Sequence, residues 1–177
     1  MKKILINIFL IITFIIIYFF QVNLFSWLKI AGVMPNLFVV FVLFIGLFYN
    51  KIAGVSYGIV FGILLDLFVG KKVGISAIML GTIGLIGGLF DKNFSKDSRF
   101  TIIVMVVLST FFYEIGKYII SLIIFKFDME LIREIKILLI ESLYNVILTI
   151  ILYPLIQKFG YKIEEEYKGN KILTRYF

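Results

Sequence analysis

The clearest pattern in this sequence is Gly54-Val55-Ser56-Tyr57-Gly58-Ile59-Val60-Phe61-Gly62-Ile63-Leu64-Leu65-Asp66. Glycine recurs every fourth residue, and the series ends on a carboxylate. Four-residue spacing places Gly54, Gly58, Gly62 and Asp66 on one face of a helix. Glycine weakens a helix, so three on one face imply a packing requirement. In lipid, small residues let a second helix backbone approach closely, and that packing drives association. The surrounding run, Ile52 to Gly70, is apolar and close to the length that crosses a bilayer.

Further runs of this kind fill the chain. A spanning helix needs about 20 mostly apolar residues. Ile4 to Val22, Met34 to Asn50, Ile52 to Gly70, Val73 to Phe90, Phe100 to Phe125 and Ile135 to Gln157 qualify or nearly do. The second and third are joined only by Tyr49-Asn50-Lys51, and the third and fourth only by Gly70-Lys71-Lys72. Such tight connections make antiparallel neighbours. The expectation is an all-α integral membrane protein, with six transmembrane helices in one compact bundle over 1–157 and a cytoplasmic C-terminal tail over 158–177. Five spans result if one of the shorter runs is re-entrant. Met1-Lys2-Lys3 before an apolar run resembles a signal peptide. The run is too long for a signal core, however, and Gln21-Val22-Asn23-Leu24-Phe25 lacks a small-x-small cleavage pattern. It reads as a retained first helix.

Composition agrees. The 177 residues are 62% hydrophobic and 16% charged, with a mean hydropathy of +1.08. Soluble domains are roughly 45–50% apolar and about 25% charged, which sets aside a soluble enzyme, a disordered chain and a coiled coil. The chain has no Cys and no His. A disulfide framework, a thiolate nucleophile and a Ser-His-Asp site are thereby excluded, and the commonest metal ligand is missing. No cofactor and no metal is expected. A formal charge of +7 in a soluble domain points to nucleic acid; in a membrane protein it orients loops, so no nucleic-acid partner is expected. With the N-terminus inside, Lys2, Lys3, Lys51, Lys92, Lys96, Arg99, Lys158, Lys162, Lys168, Lys171 and Arg175 fall on the cytoplasmic side. Lys29, Lys71, Lys72, Lys126, Arg133 and Lys136 fall outside. Excess positive charge inside puts both termini in the cytoplasm, although without the C-terminal tail the two sides tie. Trp27, Tyr49 and Tyr161 fall near the interfaces, where amphipathic rings prefer to sit.

Several residues invite a functional reading. The fourth run carries Gly74, Gly81 and Gly88 at sevens, with Ala77 and Gly84 on nearby faces. Helices three and four are expected to pack with their glycine faces together, and internal packing is the simpler reading against contact with a ligand or partner. Asp66 lies four residues from Gly70-Lys71-Lys72, so a lysine there could neutralise it. Glu114 and Lys117 are three apart and can pair on one helix face. Glu141 and Asn145 are four apart. Asp66, Lys117 and Glu141 all fall in the outer half of the bundle. A shared cluster costs less than isolated charges, so Asp66, Glu114, Lys117, Glu141 and Asn145 form an expected intramembrane polar cluster. Pro35-Asn36 opens the second helix, where a missing N–H is harmless. Met129, Ile132 and Ile135 recur at threes between charges. Asp128 to Lys136 is either a surface amphipathic turn or a helical extension of the last span. The tail after Lys158 either touches anionic lipid or a partner, or is simply solvated.

With the Pro35-Asn36-Leu37 opening, the Gly54–Gly58–Gly62–Asp66 stripe and the Gly70…Gly74 turn, the chain resembles the MreD family. The likeness covers nearly the whole chain and is centred on Pro35 to Gly88. The resemblance implies a non-enzymatic bacterial inner-membrane scaffold of the rod-shape (elongasome) complex. It would act in cell shape and lateral peptidoglycan synthesis through helix contacts with MreC. The implied partners are MreC, MreB, RodA and its transpeptidase partner, besides the lipid bilayer. The implied fold is similar to the substrate-binding subunits of energy-coupling-factor transporters. The family carries no catalytic residues over to this chain. Asp66 and the glycines match its recurring positions as packing or partner-contact residues. A second reading is a substrate-binding subunit of a small-molecule transporter, which needs convergent polar groups in an ordered cavity. A third, a membrane enzyme, is left with Asp, Glu and Lys alone.

Overall fold

A computed structural model describes residues 3–69, 73–93, 96–125 and 131–168. The elements are α1 (Lys3–Val22), α2 (Leu24–Trp27), α3 (Leu37–Phe48), α4 (Lys51–Val69), α5 (Ile75–Asn93), α6 (Arg99–Phe125) and α7 (Leu131–Lys168). No strand forms among the described residues. The protein is all-helical, and each of the six apolar runs forms a helix.

Lengths divide the six. Ile4–Trp27, Lys51–Phe68, Arg99–Ile123 and Leu131–Tyr167 are long and apolar enough to cross a membrane. The apolar parts of α3 and α5 are shorter. At 1.5 Å per residue the 12 residues of α3 reach about 18 Å, against a hydrocarbon core of about 30 Å. The sequence of α3 explains its place. Leu-Phe-Val-Val-Phe-Val-Leu-Phe-Ile-Gly-Leu-Phe is apolar on every side, and such a helix is buried by protein. All of its residues but Phe41 are buried. It touches α1, α4, α5, α6 and α7 and forms the axis of the bundle.

The start of α3 differs from expectation. Pro35 lies ahead of the helix rather than in its first turn, and Asn36 is the N-cap. The chain reaches it through a tight turn in which Ile30 and Val33 exchange both backbone hydrogen bonds. Ala31 and Gly32 take positive φ there, 51° and 83°, as a type I′ turn requires. The Tyr49–Lys51 connection is as tight as its sequence implies: the Asn50 side chain accepts from the Ala53 N–H at 2.8 Å and caps α4. The Gly70-Lys71-Lys72 connection lies outside the described residues.

Two hairpins and one outlying helix make the bundle. α4 and α5 form the most intimate pair, with α3 against both. α6 and α7 form the second hairpin. α1 lies outermost, touching α3 and α7. Phe14 fixes it, stacked on Phe61 of α4 at 4.3 Å and tilted on Phe38 at 5.4 Å. α7 is a single helix of 38 residues. Its first turns, Leu131 to Lys136, continue directly into the apolar run, so this part is a helical extension; Asp128 to Glu130 lie outside the described residues. Beyond Gln157 the helix continues against the bundle. Ile163 is buried, and Phe48 lies against Gly160 and Tyr161.

Candidate functional site

The glycine seam is the first feature that the fold assembles. A Cβ on Gly58 would fall on the Leu80 carbonyl of α5, and one on Gly62 would fall on the Ala77 backbone. Gly54 opposes the Gly84 carbonyl and lies 2.7 Å, measured from an added Cβ, from the Gly46 Cα. Three backbones therefore meet where Gly46 of α3, Gly54 of α4 and Gly84 of α5 converge. Gly88 closes the series against the Lys51 backbone. On α4 the glycine face is the packing face. On α5 the contact runs through Ala77, Leu80, Gly81, Gly84 and Gly88, so two of the three glycines spaced at sevens lie in it and Gly74 does not. A Cβ on Gly81 would meet Cγ1 of the half-exposed Ile59 side chain at 2.9 Å, a neighbour that is side chain rather than backbone. Gly74 has no packing role. It precedes α5 at φ +108° with open space at its Cβ position, a conformation that glycine adopts without strain.

Asp66 ends the seam as an N-terminal cap. One carboxylate oxygen accepts from the backbone N–H of Gly74 at 2.7 Å and of Ser76 at 3.1 Å. A buried carboxylate is thus satisfied by orphan donors at a helix start, where the helix dipole also favours it. Lys71 and Lys72 lie outside the described residues.

The polar cluster forms between α6 and α7. Glu114 is 2% exposed, and Lys117 pairs with both of its oxygens at 2.6 and 2.5 Å. The Lys117 ammonium also lies 5.6 Å above the Tyr113 ring. Glu141 on α7 lies beside Glu114, Lys117 and the Asn36 side chain. Asn145, fully buried, accepts from the Asn36 N–H at 2.7 Å and donates to Thr110 Oγ1 at 3.0 Å. From the other side, Gln21 of α1 donates to the Pro35 carbonyl and accepts from the Leu37 N–H at 3.4 Å. The Pro35-Asn36-Leu37 opening of α3 is therefore clamped between α1 and α7. Four of the five expected members, Glu114, Lys117, Glu141 and Asn145, come together. Asp66 stands one step away: its partner Ser76 also contacts Tyr113, which faces the cluster. Sequence reasoning missed Gln21, Thr110 and Tyr113, because nothing in their own segments marks which helix they face. Gly46, the single glycine of a wholly apolar helix, was a usable signal.

At the opposite end, Lys96 pairs with Asp91 and with Glu164, the latter at 2.7 Å. Tyr153 donates to the Asp97 carbonyl at 3.0 Å, and Tyr161 donates to the Asp97 carboxylate. These bonds fasten the α5–α6 connection to the last turns of α7. Among the described residues, no group of three or more Asp or Glu side chains could hold a metal ion.

A helical bundle with four apolar helices long enough to span, a close glycine seam and a buried ion-pair cluster defines an integral membrane protein built by helix packing. The family model of the rod shape-determining protein MreD matches residues 1–163. The chain belongs to the MreD family. No curated protein and no solved structure matches it. Family membership implies a role in rod-shape determination at the cell membrane.

Proposed function

We propose that the protein is a non-enzymatic scaffold of the bacterial rod-shape complex, acting through helix contacts with MreC. The observation that carries this reading is the family match over residues 1–163. The architecture supports it, since backbones are held together by glycine contacts and buried ion pairs. In lipid such packing and interhelical hydrogen bonds associate helices, within the chain and with partners alike. In the same reading RodA, its transpeptidase partner and MreB belong to the assembly. The protein lies in the inner membrane with both termini cytoplasmic. Residues 1–157 are the bundle, and 158–177 are its cytoplasmic C-terminal tail, of which α7 takes in the part up to Lys168. The exposed faces left for partners include the groove between α4 and α5 lined by Val55, Ile59, Ile78, Gly81 and Leu85. Nothing supports the transport reading. That groove and a second one between α1, α3 and α7 are lined by apolar side chains and lack the convergent polar groups of a small-molecule site.

The test is purification of a tagged copy from its own membrane in mild detergent, with mass spectrometry of what accompanies it. Recovery of MreC and the wall-synthesis pair is the expected result. Recovery of an ATPase pair and a coupling membrane subunit instead overturns the scaffold reading.

A further inference from the structure

α1 is the outermost helix, and a slot of about 100 Å³ remains between it, α3 and α7. Rings wall this slot: Phe9 of α1, Phe41, Phe44 and Phe48 of α3, and Phe159 of α7. Phe9 and Phe159 meet at 4.9 Å and tie α1 to α7 there. An apolar space of this order stays free of water and takes hydrocarbon instead. Along α7 the lining runs from Leu155 to Ile163, about 12 Å at 1.5 Å per residue. That length suits a stretch of extended acyl chain. A second copy or a partner helix is too wide for it, since a helix with its side chains is about 10 Å across.

The end of the slot at Ile163 is polar and positive. Tyr49 lines it, and its hydroxyl lies 3.5 Å from the Asn7 carboxamide. Lys158 and Lys162 directly precede the lining residues Phe159 and Ile163, and both are exposed. Four residues apart, they share one face of α7, adjacent to the face that lines the slot. Lysine stems lie along apolar surface while the ammonium stays in water, so both charges reach the mouth. Glu164 is engaged by Lys96, and Glu165 and Glu166 stand beyond the last lining residue.

We propose that the slot seats one acyl chain of an anionic phospholipid whose phosphate rests on Lys158 and Lys162. The chain fills the gap beside α1 and joins that helix to α3 and α7. A polar metabolite needs convergent polar groups inside its pocket; hydrocarbon needs none. A zwitterionic lipid brings a further ammonium group beside the two lysines, and like charges repel. This inference is independent of which proteins the bundle assembles with.

The protein is purified in mild detergent, washed free of lipid and offered equal amounts of phosphatidylglycerol and phosphatidylcholine with the same acyl chains. Native mass spectrometry identifies the first lipid bound. Phosphatidylglycerol is expected to be favoured about thirtyfold, because each lysine near an anionic lipid contributes about 1 kcal/mol. Lys158→Gln combined with Lys162→Gln is expected to bring the ratio close to one. Lys51→Gln combined with Arg99→Gln removes the same charge from exposed positions on α4 and α6, which do not line the slot, and is expected to keep the ratio. Leu155→Trp and Thr13→Leu each narrow the slot and are expected to reduce retention of either lipid. Elution as a single species checks folding, and either narrowing variant suffices if the other fails. Glycerol phosphate, which has the charge without the chain, is expected not to displace the lipid from the parent protein. A parent ratio near one, a ratio that survives loss of Lys158 and Lys162, or an equal fall in the Lys51 and Arg99 control overturns the proposal. Displacement by glycerol phosphate, or full retention of lipid in the narrowed slot, overturns it as well.

Discussion

Gly84 and Gly81 are three residues apart on one helix and differ in what a methyl group would meet. At Gly84 it would fall on the Gly54 backbone; at Gly81 it presses on the Ile59 side chain, with the nearest backbone atom at an ordinary 3.8 Å. Backbone cannot yield as a side chain can. Gly84→Ala is expected to destabilise by about 1–3 kcal/mol, the usual cost of overpacking, and Gly81→Ala by clearly less. Thermal melting of both variants in the same detergent checks the ordering. Asp66 makes a second residue-scale case. Its carboxylate satisfies two N–H groups at the start of α5. Asp66→Ala is expected to cost about 0.5–2 kcal/mol, as for loss of a helix cap, while Asp66→Asn retains much of the cap through its carbonyl. A melting curve for Asp66→Asn that matches Asp66→Ala would show that charge, not capping, is what Asp66 supplies.

At the scale of the element, the clamp on α3 joins the hairpins, whereas the Glu114–Lys117 ion pair stays within α6. Asn145 serves α3 through Asn36 and α6 through Thr110. Asn145→Ala leaves the part-buried Asn36 N–H without its acceptor and takes one donor from the Thr110 hydroxyl, which keeps its bond to the Val106 carbonyl, at an expected cost of about 1–3 kcal/mol. The Glu114–Lys117 pair allows a sharper test. Removing one partner of a buried pair typically costs about 3–5 kcal/mol, whereas replacing both with apolar residues is often neutral. Lys117→Met is therefore expected to melt well below the parent, and Glu114→Leu combined with Lys117→Met to recover most of the loss. Failure of the double variant to recover would mean that Lys117 is held chiefly for Glu141. Much of this was legible in advance. The i, i+3 spacing of Glu114 and Lys117 and the i, i+4 spacing of Glu141 and Asn145 fix their faces within each helix. Neither spacing could say that the two faces meet, because that depends on how α6 and α7 are rotated against each other.

Across the whole molecule, stability is expected to be uneven. α3 is buried along nearly its whole length and packs against five helices. α1 is mostly exposed to what surrounds the bundle: only 17% of its apolar window is buried. Local opening follows buried contact, so amide exchange is expected to be slowest in α3 and fastest among the long helices in α1. Uniform protection of the two would contradict a central α3.

The helix positions, the tight α3–α4 turn and the glycine face of α4 followed from the sequence alone. Each is a local matter of apolar run length, turn residues and a four-residue repeat. The α5 contact face was not local. Glycines at 74, 81 and 88 repeat evenly, yet Gly74 belongs to a turn, and Ala77, Leu80 and Gly84 share the packing with Gly81 and Gly88. Seven residues return to nearly the same face, so the repeat itself cannot show which side meets α4. The short reach of α3, the clamp on Pro35-Asn36-Leu37 from Gln21 and Asn145, and the placement of Asp66 on a helix start rather than among the α6–α7 charges were likewise decided by tertiary structure. A side chain's partner across a helix interface is set by the relative rotation and shift of two rigid rods, and no pattern within either rod contains that information.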